Sequence, residues 1–465
     1  MRYISTRGQA APLGFEAATL AGLASDGGLY VPETWPRLDR SEIEALAGLS
    51  YAETAARILA PFVGEALNDA ELRALCEAAY GRFSHAAVTP LVQLDHRHFL
   101  LELFHGPTLA FKDVALQMLG LLFERFLSGG DQHLTIVGAT SGDTGSAAIE
   151  AVANRAHIDI FMLHPKGRVS EVQRRQMTTV LADNVHNIAI EGDFDQAQAL
   201  VKAMFGDKDF ADRFQLSAVN SINWARLAAQ IVYYFYAGVR LGAPHRAIAF
   251  SVPTGNFGDV FAGYVAKKMG LPVARLIVAT NVNDILHRAL SAGDYSTAMV
   301  TPTATPSMDI QVSSNFERLL FDLHGRDATA LVSAMKGFES DKEMVLPQAL
   351  RDRAAADFIS ARVDHEAMVE AMRWAYASGE VIDPHTAIGL AAARAAVLPT
   401  EVPVVTLATA HPAKFGDAVE AAVGVRPALP ERIVGLMEKE ERCAVLPATF
   451  EAITGYITER ARPRT

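Results

Sequence analysis

The apolar positions of the chain change their period near residue 95. From Ser41 to Phe83, alanine, leucine and glutamate recur at helical spacing and predict a mostly helical region over residues 1–95. D-G-G-L-Y-V-P-E (Asp26 to Glu33) interrupts it with a turn and a short extended piece, and V-T-P-L-V-Q-L (Val88 to Leu94) reads as a connector. Beyond it, short apolar runs alternate with helical segments. H-L-T-I-V-G-A-T (His133 to Thr140) predicts a strand, with a helix from about Thr144. I-D-I-F-M-L-H-P (Ile158 to Pro165) and V-H-N-I-A-I-E-G (Val185 to Gly192) predict strands with helices near Ser170 and Phe194. A-I-A-F-S-V-P (Ala247 to Pro253) predicts another, with a helix after Gly258, and A-R-L-I-V-A-T and V-P-V-V-T-L-A-T-A add two more. Strands of this kind alternating with helices indicate an α/β fold with largely parallel sheets. Ligands of such sheets gather beyond the carboxyl ends of the strands, so the loops after Ala139, Val252 and Ala408 become the candidates.

Composition narrows the class. With 465 residues, two to four domains are expected. A formal net charge of -11 without a long basic run argues against a nucleic-acid partner. Cys76 and Cys443 have neither disulfide-framework nor zinc spacing, which predicts no metal site and a reducing, cytoplasmic setting. The first residues lack the apolar stretch of a signal peptide. The most apolar helix, Leu227 to Leu241, contains Arg240 and is too short to span a bilayer, so no membrane association is expected.

The candidate chemistry lies in five loops. P-T-G-N-F-G-D (Pro253 to Asp259) puts Gly255 and Gly258 where a strand meets a helix. Free N–H groups and the helix dipole there suit one phosphate monoester, although a plain turn is the other reading. T-S-G-D-T-G-S (Thr140 to Ser146) offers Ser141 and Asp143 as helix caps, or the hydroxyls of Thr140, Ser141 and Thr144 to a carboxylate. L-A-T-A-H-P-A-K-F-G-D (Leu407 to Asp417) carries Thr409, His411 and Lys414, readable also as a turn histidine and a surface charge. In N-S-I-N-W-A-R (Asn220 to Arg226), Asn220, Ser221 and Asn223 are capping candidates. Arg226 opposes the helix dipole unless a second anion binds. In H-G-P-T-L-A-F-K-D-V-A-L (His105 to Leu116), Lys112 is boxed in by Leu109, Phe111, Val114 and Leu116. A lysine so placed has a depressed pKa and serves as nucleophile or base. An amine, a one-phosphate cradle and a carboxylate loop together call for pyridoxal 5'-phosphate.

E-L-F-H-G-P-T-L-A-F-K-D-V-A (Glu102 to Ala115) resembles the cofactor-lysine signature of the fold-type II pyridoxal-phosphate enzymes, the tryptophan synthase β-like group. With T-S-G-D-T-G, P-T-G-N-F-G-D, S-S-N-F-E-R and T-A-H-P-A-K-F, in that order, the chain resembles the bacterial and fungal threonine synthase family. Y-x-S-T-R-G (Tyr3 to Gly8) and G-L-A-S-D-G-G-L-Y-V-P-E (Gly22 to Glu33) resemble that family's N-terminal domain. The resemblance implies a mostly helical domain over 1–95 and a catalytic region over 96–465. The latter divides into a large α/β domain (about 96–130 and 220–465) and a small one (about 131–219), each with a largely parallel sheet. It implies that Lys112 carries the cofactor aldehyde and then moves protons. Gly255, Asn256, Phe257 and Gly258 then hold the cofactor phosphate, Phe111 and Asp143 line the cofactor, and Thr409 faces its ring nitrogen. Asp143 stands where many fold-type II relatives carry asparagine. Thr140, Ser141 and Thr144 grip the substrate carboxylate, and Asn220, Ser221, Arg226 and Lys414 hold the substrate phosphate. The implied reaction turns O-phospho-L-homoserine and water into L-threonine and phosphate, in a monomer or homodimer. A serine/threonine dehydratase, a phosphohomoserine lyase or a non-catalytic sensor would share parts of this pattern.

Overall fold

A computed structural model describes residues 1–130 and 132–462. The expected domain boundary at 131 and the last three residues of the expected 96–465 region lie outside them. The strands are β1 (Tyr3–Ser5), β2 (Tyr30–Pro32), β3 (Leu91–Gln93), β4 (His98–Glu102), β5 (Leu134–Ala139), β6 (Ile158–Pro165), β7 (Val185–Glu191), β8 (Leu216–Ser217), β9 (Ile248–Pro253), β10 (Val273–Thr280), β11 (Phe358–Arg362), β12 (Val404–Ala408) and β13 (Ala444–Pro447). A six-stranded sheet runs β11-β10-β9-β12-β4-β3, and a five-stranded sheet runs β13-β7-β6-β5-β8. Every pairing in them is parallel except the β3–β4 edge. All eight residues of β6 are buried, as a strand covered by helices on both faces requires.

The N-terminal region is helical around the small antiparallel pair β1–β2. Helix Tyr51–Val63 shows why. Ser50 and Glu53 form a capping box, and Tyr51, Ala55, Ile58, Leu59 and Phe62 bury one stripe. Each large side chain so buried contributes about 1.5–3 kcal/mol. The stripe packs on helix Trp224–Arg240, with Phe62 5.7 Å from Trp224 and Tyr51 5.0 Å from Tyr236, ring to ring. That helix is buried along its length except at Arg240, so it is a core element.

Two stretches depart from the sequence reading. Leu91–Gln93, within the expected connector, pairs with β4 as an edge strand. The Asp95 carboxylate accepts the N–H groups of Arg97 and His98 and closes the turn between them. Ala444–Pro447, expected with the large domain, joins the small sheet beside β7. Ile453 and Ile457 of the following helix are buried in that sheet's core cluster.

Candidate active site

Backbone pairing beyond β4 and β12 builds the first wall. Ala110 and Ala410 form an antiparallel bridge, Phe111 N–H donates to Thr409 O at 2.8 Å, and His411 N–H donates to Leu109 O at 3.0 Å. Lys112 opens helix Lys112–Leu127 at this junction, only 7 % exposed, with its amine 5.3 Å from the Phe111 ring centre. The next residue, Asp113, is fully buried and accepts Thr108 N–H at 2.8 Å and Thr108 Oγ1–H at 2.7 Å. Burial pushes its carboxyl up to about 6. Gly106 is required here, because a Cβ would lie 2.4 Å from Asp113 Cβ.

Asp143 crosses from the other sheet. Its Oδ2 accepts from Lys112 Nζ at 3.1 Å, and its Oδ1 accepts from Lys414 Nζ at 2.7 Å and Gln173 Nε2 at 2.8 Å. Burial alone would raise its pKa, but the two ammonium charges and these hydrogen bonds hold it well below the usual carboxylate range. Burial lowers the pKa of Lys112, the charges of Lys414 and Arg226 push the same way, and Asp143 only partly opposes them. Capping explains neither Ser141 nor Asp143. Thr140 Oγ1 caps the helix that starts at Asp143, accepting Gly142 N–H at 3.0 Å and Gly145 N–H at 2.9 Å. Ser141 is exposed and Thr144 half-buried, so their hydroxyls are accessible to a carboxylate, whereas Thr140 is buried and its Oγ1 accepts two loop N–H groups while keeping its own O–H to donate.

Lys414 does not sit where the sequence reading put it. It is 2 % exposed, and its ammonium is committed to Asp143 and to Thr108 O at 2.8 Å, not to a substrate phosphate. His411 is a turn residue, as its neighbouring proline suggested: Nδ1 accepts Ala413 N–H at 3.2 Å. Burial, helped by the charges of His105 and Arg432, pushes its pKa down to about 4.

The turn after β9 has the form of a phosphate cradle. Phe257 is buried with φ 63°, and helix Gly258–Lys268 starts without a side-chain cap. Among the described residues, the N–H groups of Gly255, Asn256, Phe257 and Gly258 find no acceptor in the protein. A Cβ on Gly255 would stand 2.7 Å from Ser307 O, so the wall fits only glycine. The S-S-N-F-E-R segment, whose role the sequence left open, braces this turn. Ser313 Oγ–H donates to Gly255 O at 2.8 Å, and Asn315 Nδ2 donates to Asn256 O at 3.1 Å and Ser221 O at 3.0 Å. Glu317 accepts from Thr6 and Arg7 of the N-terminal motif, and Arg318 donates to Tyr30 O and Ile222 O.

The second helix start differs. Asn223 caps it, its Oδ1 accepting Ala225 N–H at 3.0 Å. Asn220 is held by Ile222 N–H and Ser221 by the Ser314 hydroxyl, so neither side chain is idle. Arg226 is 5 % exposed, pairs with no carboxylate among the described residues and leaves Nη1 without a partner. Burial lowers its pKa to about 10. A buried guanidinium lacking its anion is costly, and an anionic ligand is the natural compensation.

These features fit pyridoxal phosphate: a buried amine for its aldehyde, an open N–H cradle that a Cβ would fill, and Thr409 paired through its backbone to Phe111, the residue before the amine. Comparison with known proteins agrees. Family models match in chain order: Threonine synthase N terminus over residues 2–80, Pyridoxal-phosphate dependent enzyme over 83–345, and Threonine synthase, C-terminal over 386–457. The chain is 55 % identical to a Pseudomonas aeruginosa threonine synthase, covering 99 % of this chain and 98 % of that one. It superposes on the crystal structure of pyridoxal-phosphate-bound threonine synthase from Brucella melitensis with TM-score 0.97, at 51 % identity over 99 % of this chain and 100 % of that one. The yeast threonine synthase structure gives TM-score 0.94 at 39 % identity over 99 % and 98 %.

Proposed function

The chain belongs to the threonine synthase family of pyridoxal-phosphate-dependent enzymes, and on that premise we propose that it converts O-phospho-L-homoserine and water into L-threonine and phosphate. The observation that carries the substrate is Arg226, a buried cation with no anion of its own. A dehydratase of serine or threonine has no leaving phosphate and no use for it.

Bound pyridoxal phosphate supplies an aldehyde for the substrate amine and a ring that accepts electrons from the substrate carbons. Lys112 Nζ takes the proton from the substrate α-carbon, and its flexible stem lets the same amine serve the β- and γ-carbons. Burial lowers the pKa of that amine and so favours the unprotonated form that accepts the proton. Asp143 receives the ammonium when it forms and orients it. Arg226 holds the phosphate leaving the γ-carbon, and its planar fork can grip two oxygens. Ser141 and Thr144 take the substrate carboxylate at the mouth, and Thr409 offers a neutral hydroxyl to the ring nitrogen. The setting is cytoplasmic, in a monomer or homodimer; among the described residues no helix is long and apolar enough to cross a membrane. Product analysis with O-phosphohomoserine tests the reading. Threonine as the main product supports it, and 2-oxobutanoate as the main product overturns it.

A further inference from the structure

Lys112 has to change partners in every cycle, and its departure would strand a buried carboxylate. Asp143 is only 5 % exposed, and an unpaired charge at such a place is expensive or else takes up a proton. Lys414 sits on the opposite carboxylate oxygen at 2.7 Å. It is one of the most deeply buried cations of the chain, and its remaining contact is Thr108 O at 2.8 Å. Thr108 is in turn fixed by Asp113, the neighbour of Lys112. A closed circuit therefore runs Lys112, Asp143, Lys414, Thr108, Asp113 and back along the chain.

The circuit also crosses between the two sheets. Lys112 and Lys414 follow β4 and β12 of the six-stranded sheet, whereas Asp143 follows β5 of the five-stranded one. Gln173 and Gln176 lie on a helix after β6 of the same small sheet. Gln173 donates to Asp143, and Gln176 donates to Thr108 O at 3.0 Å.

We propose that Lys414 is a positioning residue, which keeps Asp143 ionised and aimed at Lys112 across the gap between the sheets while the Lys112 amine is engaged elsewhere. Lys414 touches neither substrate nor cofactor in this role and acts through Asp143. The role rests on the proposed chemistry only for the reason Lys112 moves. The charged groups that face the pair are Lys414, Arg226 and Asp113, with Glu150 beyond Asp113.

The test measures acetylation of Lys112 against pH, by peptide mass, in the cofactor-free full-length chain. Removing the positive charge of Lys414 should let Lys112 keep its proton longer. Lys414→Met is expected to raise the midpoint by about one unit or more, and Lys414→Arg should restore the wild-type value. Asp143→Asn should lower it. In the loaded protein, Lys414→Met should move the acid limb of the kcat profile to higher pH, because an Asp143 left alone is protonated more readily. A lysine needed only for folding would lower cofactor content or melting temperature in Lys414→Met with the Lys112 midpoint in place, and that result overturns the proposal. So does a Lys414→Arg variant that behaves like Lys414→Met. Substrate identity does not enter the labelling midpoint, so a wrong substrate and a wrong role for Lys414 give different outcomes.

Discussion

The helices that begin at Trp224 and Gly258 start side by side and are finished in opposite ways. Ser314 and Asn315 stitch them together, reaching Ser221 on one side and Asn256 on the other. The Gly258 helix leaves its first N–H groups free, has no side-chain cap and carries Asp259 in its first turn. The Trp224 helix is capped by Asn223 and carries a buried, unpartnered Arg226 in its first turn. Backbone N–H groups hold an anion at no cost in side-chain ordering, which suits a phosphate that stays bound. A guanidinium adds full charge where charge builds up as a bond breaks. On the proposed chemistry, the contrast suits the Gly258 helix to the resident cofactor phosphate and the Trp224 helix to the departing substrate phosphate.

The largest expected effect removes the group both phosphates serve. Lys112→Ala should cut turnover by about a hundred- to ten-thousand-fold or more, and borohydride reduction of the native protein should leave its adduct on the Lys112 peptide. An adduct on another lysine contradicts the assignment. Gly255→Ala sharpens the comparison from the cofactor side. The new methyl meets Ser307 O at 2.7 Å, and overpacking of this kind should weaken cofactor binding by about 10-fold to 100-fold. Fluorescence titration with the cofactor reads it. Unchanged cofactor affinity in Gly255→Ala, or a large loss in Arg226→Ala, would exchange the roles of the two helix starts.

The sequence made one of these starts far more legible than the other. The glycine turn after β9 is local: a strand, two glycines and a helix suffice to write it, and the alternation of strands and helices is local in the same way. The role of Asp143 was hidden because an aspartate at a helix start reads as a cap, while the cap is Thr140. Lys414 read as a surface charge or phosphate ligand because its partner lies 271 residues away in the chain, at Asp143. Gln173 carried no signal at all, since its partner Asp143 lies 30 residues away on another helix of the same small sheet. The placement of Ala444–Pro447 was equally unreadable, because a four-residue strand does not announce which sheet edge it will find. The Ser313–Arg318 segment was recognisable as a motif, but its work is visible only once Tyr30, Ser221 and Gly255 lie around it.

The smallest expected effect concerns Asp259. Burial pushes its carboxyl up to about 6, although the hydroxyls of Tyr233 and Tyr234 favour the ionised form. The unfolded value is about 3.9, so between roughly pH 4 and pH 6 the folded chain keeps a proton that the unfolded chain has lost. Stability from this group is complete below that window and is lost as pH rises through it. Asp259→Asn should flatten this part of the stability–pH curve, followed by chemical denaturation, and leave both phosphate affinities nearly unchanged. A slope identical to the wild type would mean that Asp259 is ionised throughout.

The most direct measurement compares Arg226→Ala with the wild type on two substrates, after equal cofactor content is confirmed. Truncating one partner of a buried charge pair costs about 2–5 kcal/mol, or roughly a 30-fold to several thousand-fold loss. That loss is expected in kcat/KM for O-phosphohomoserine, while slow turnover of an unphosphorylated amino acid stays close to the wild-type value. Equal losses on both substrates, or no loss on either, would contradict the assignment of the substrate phosphate to Arg226.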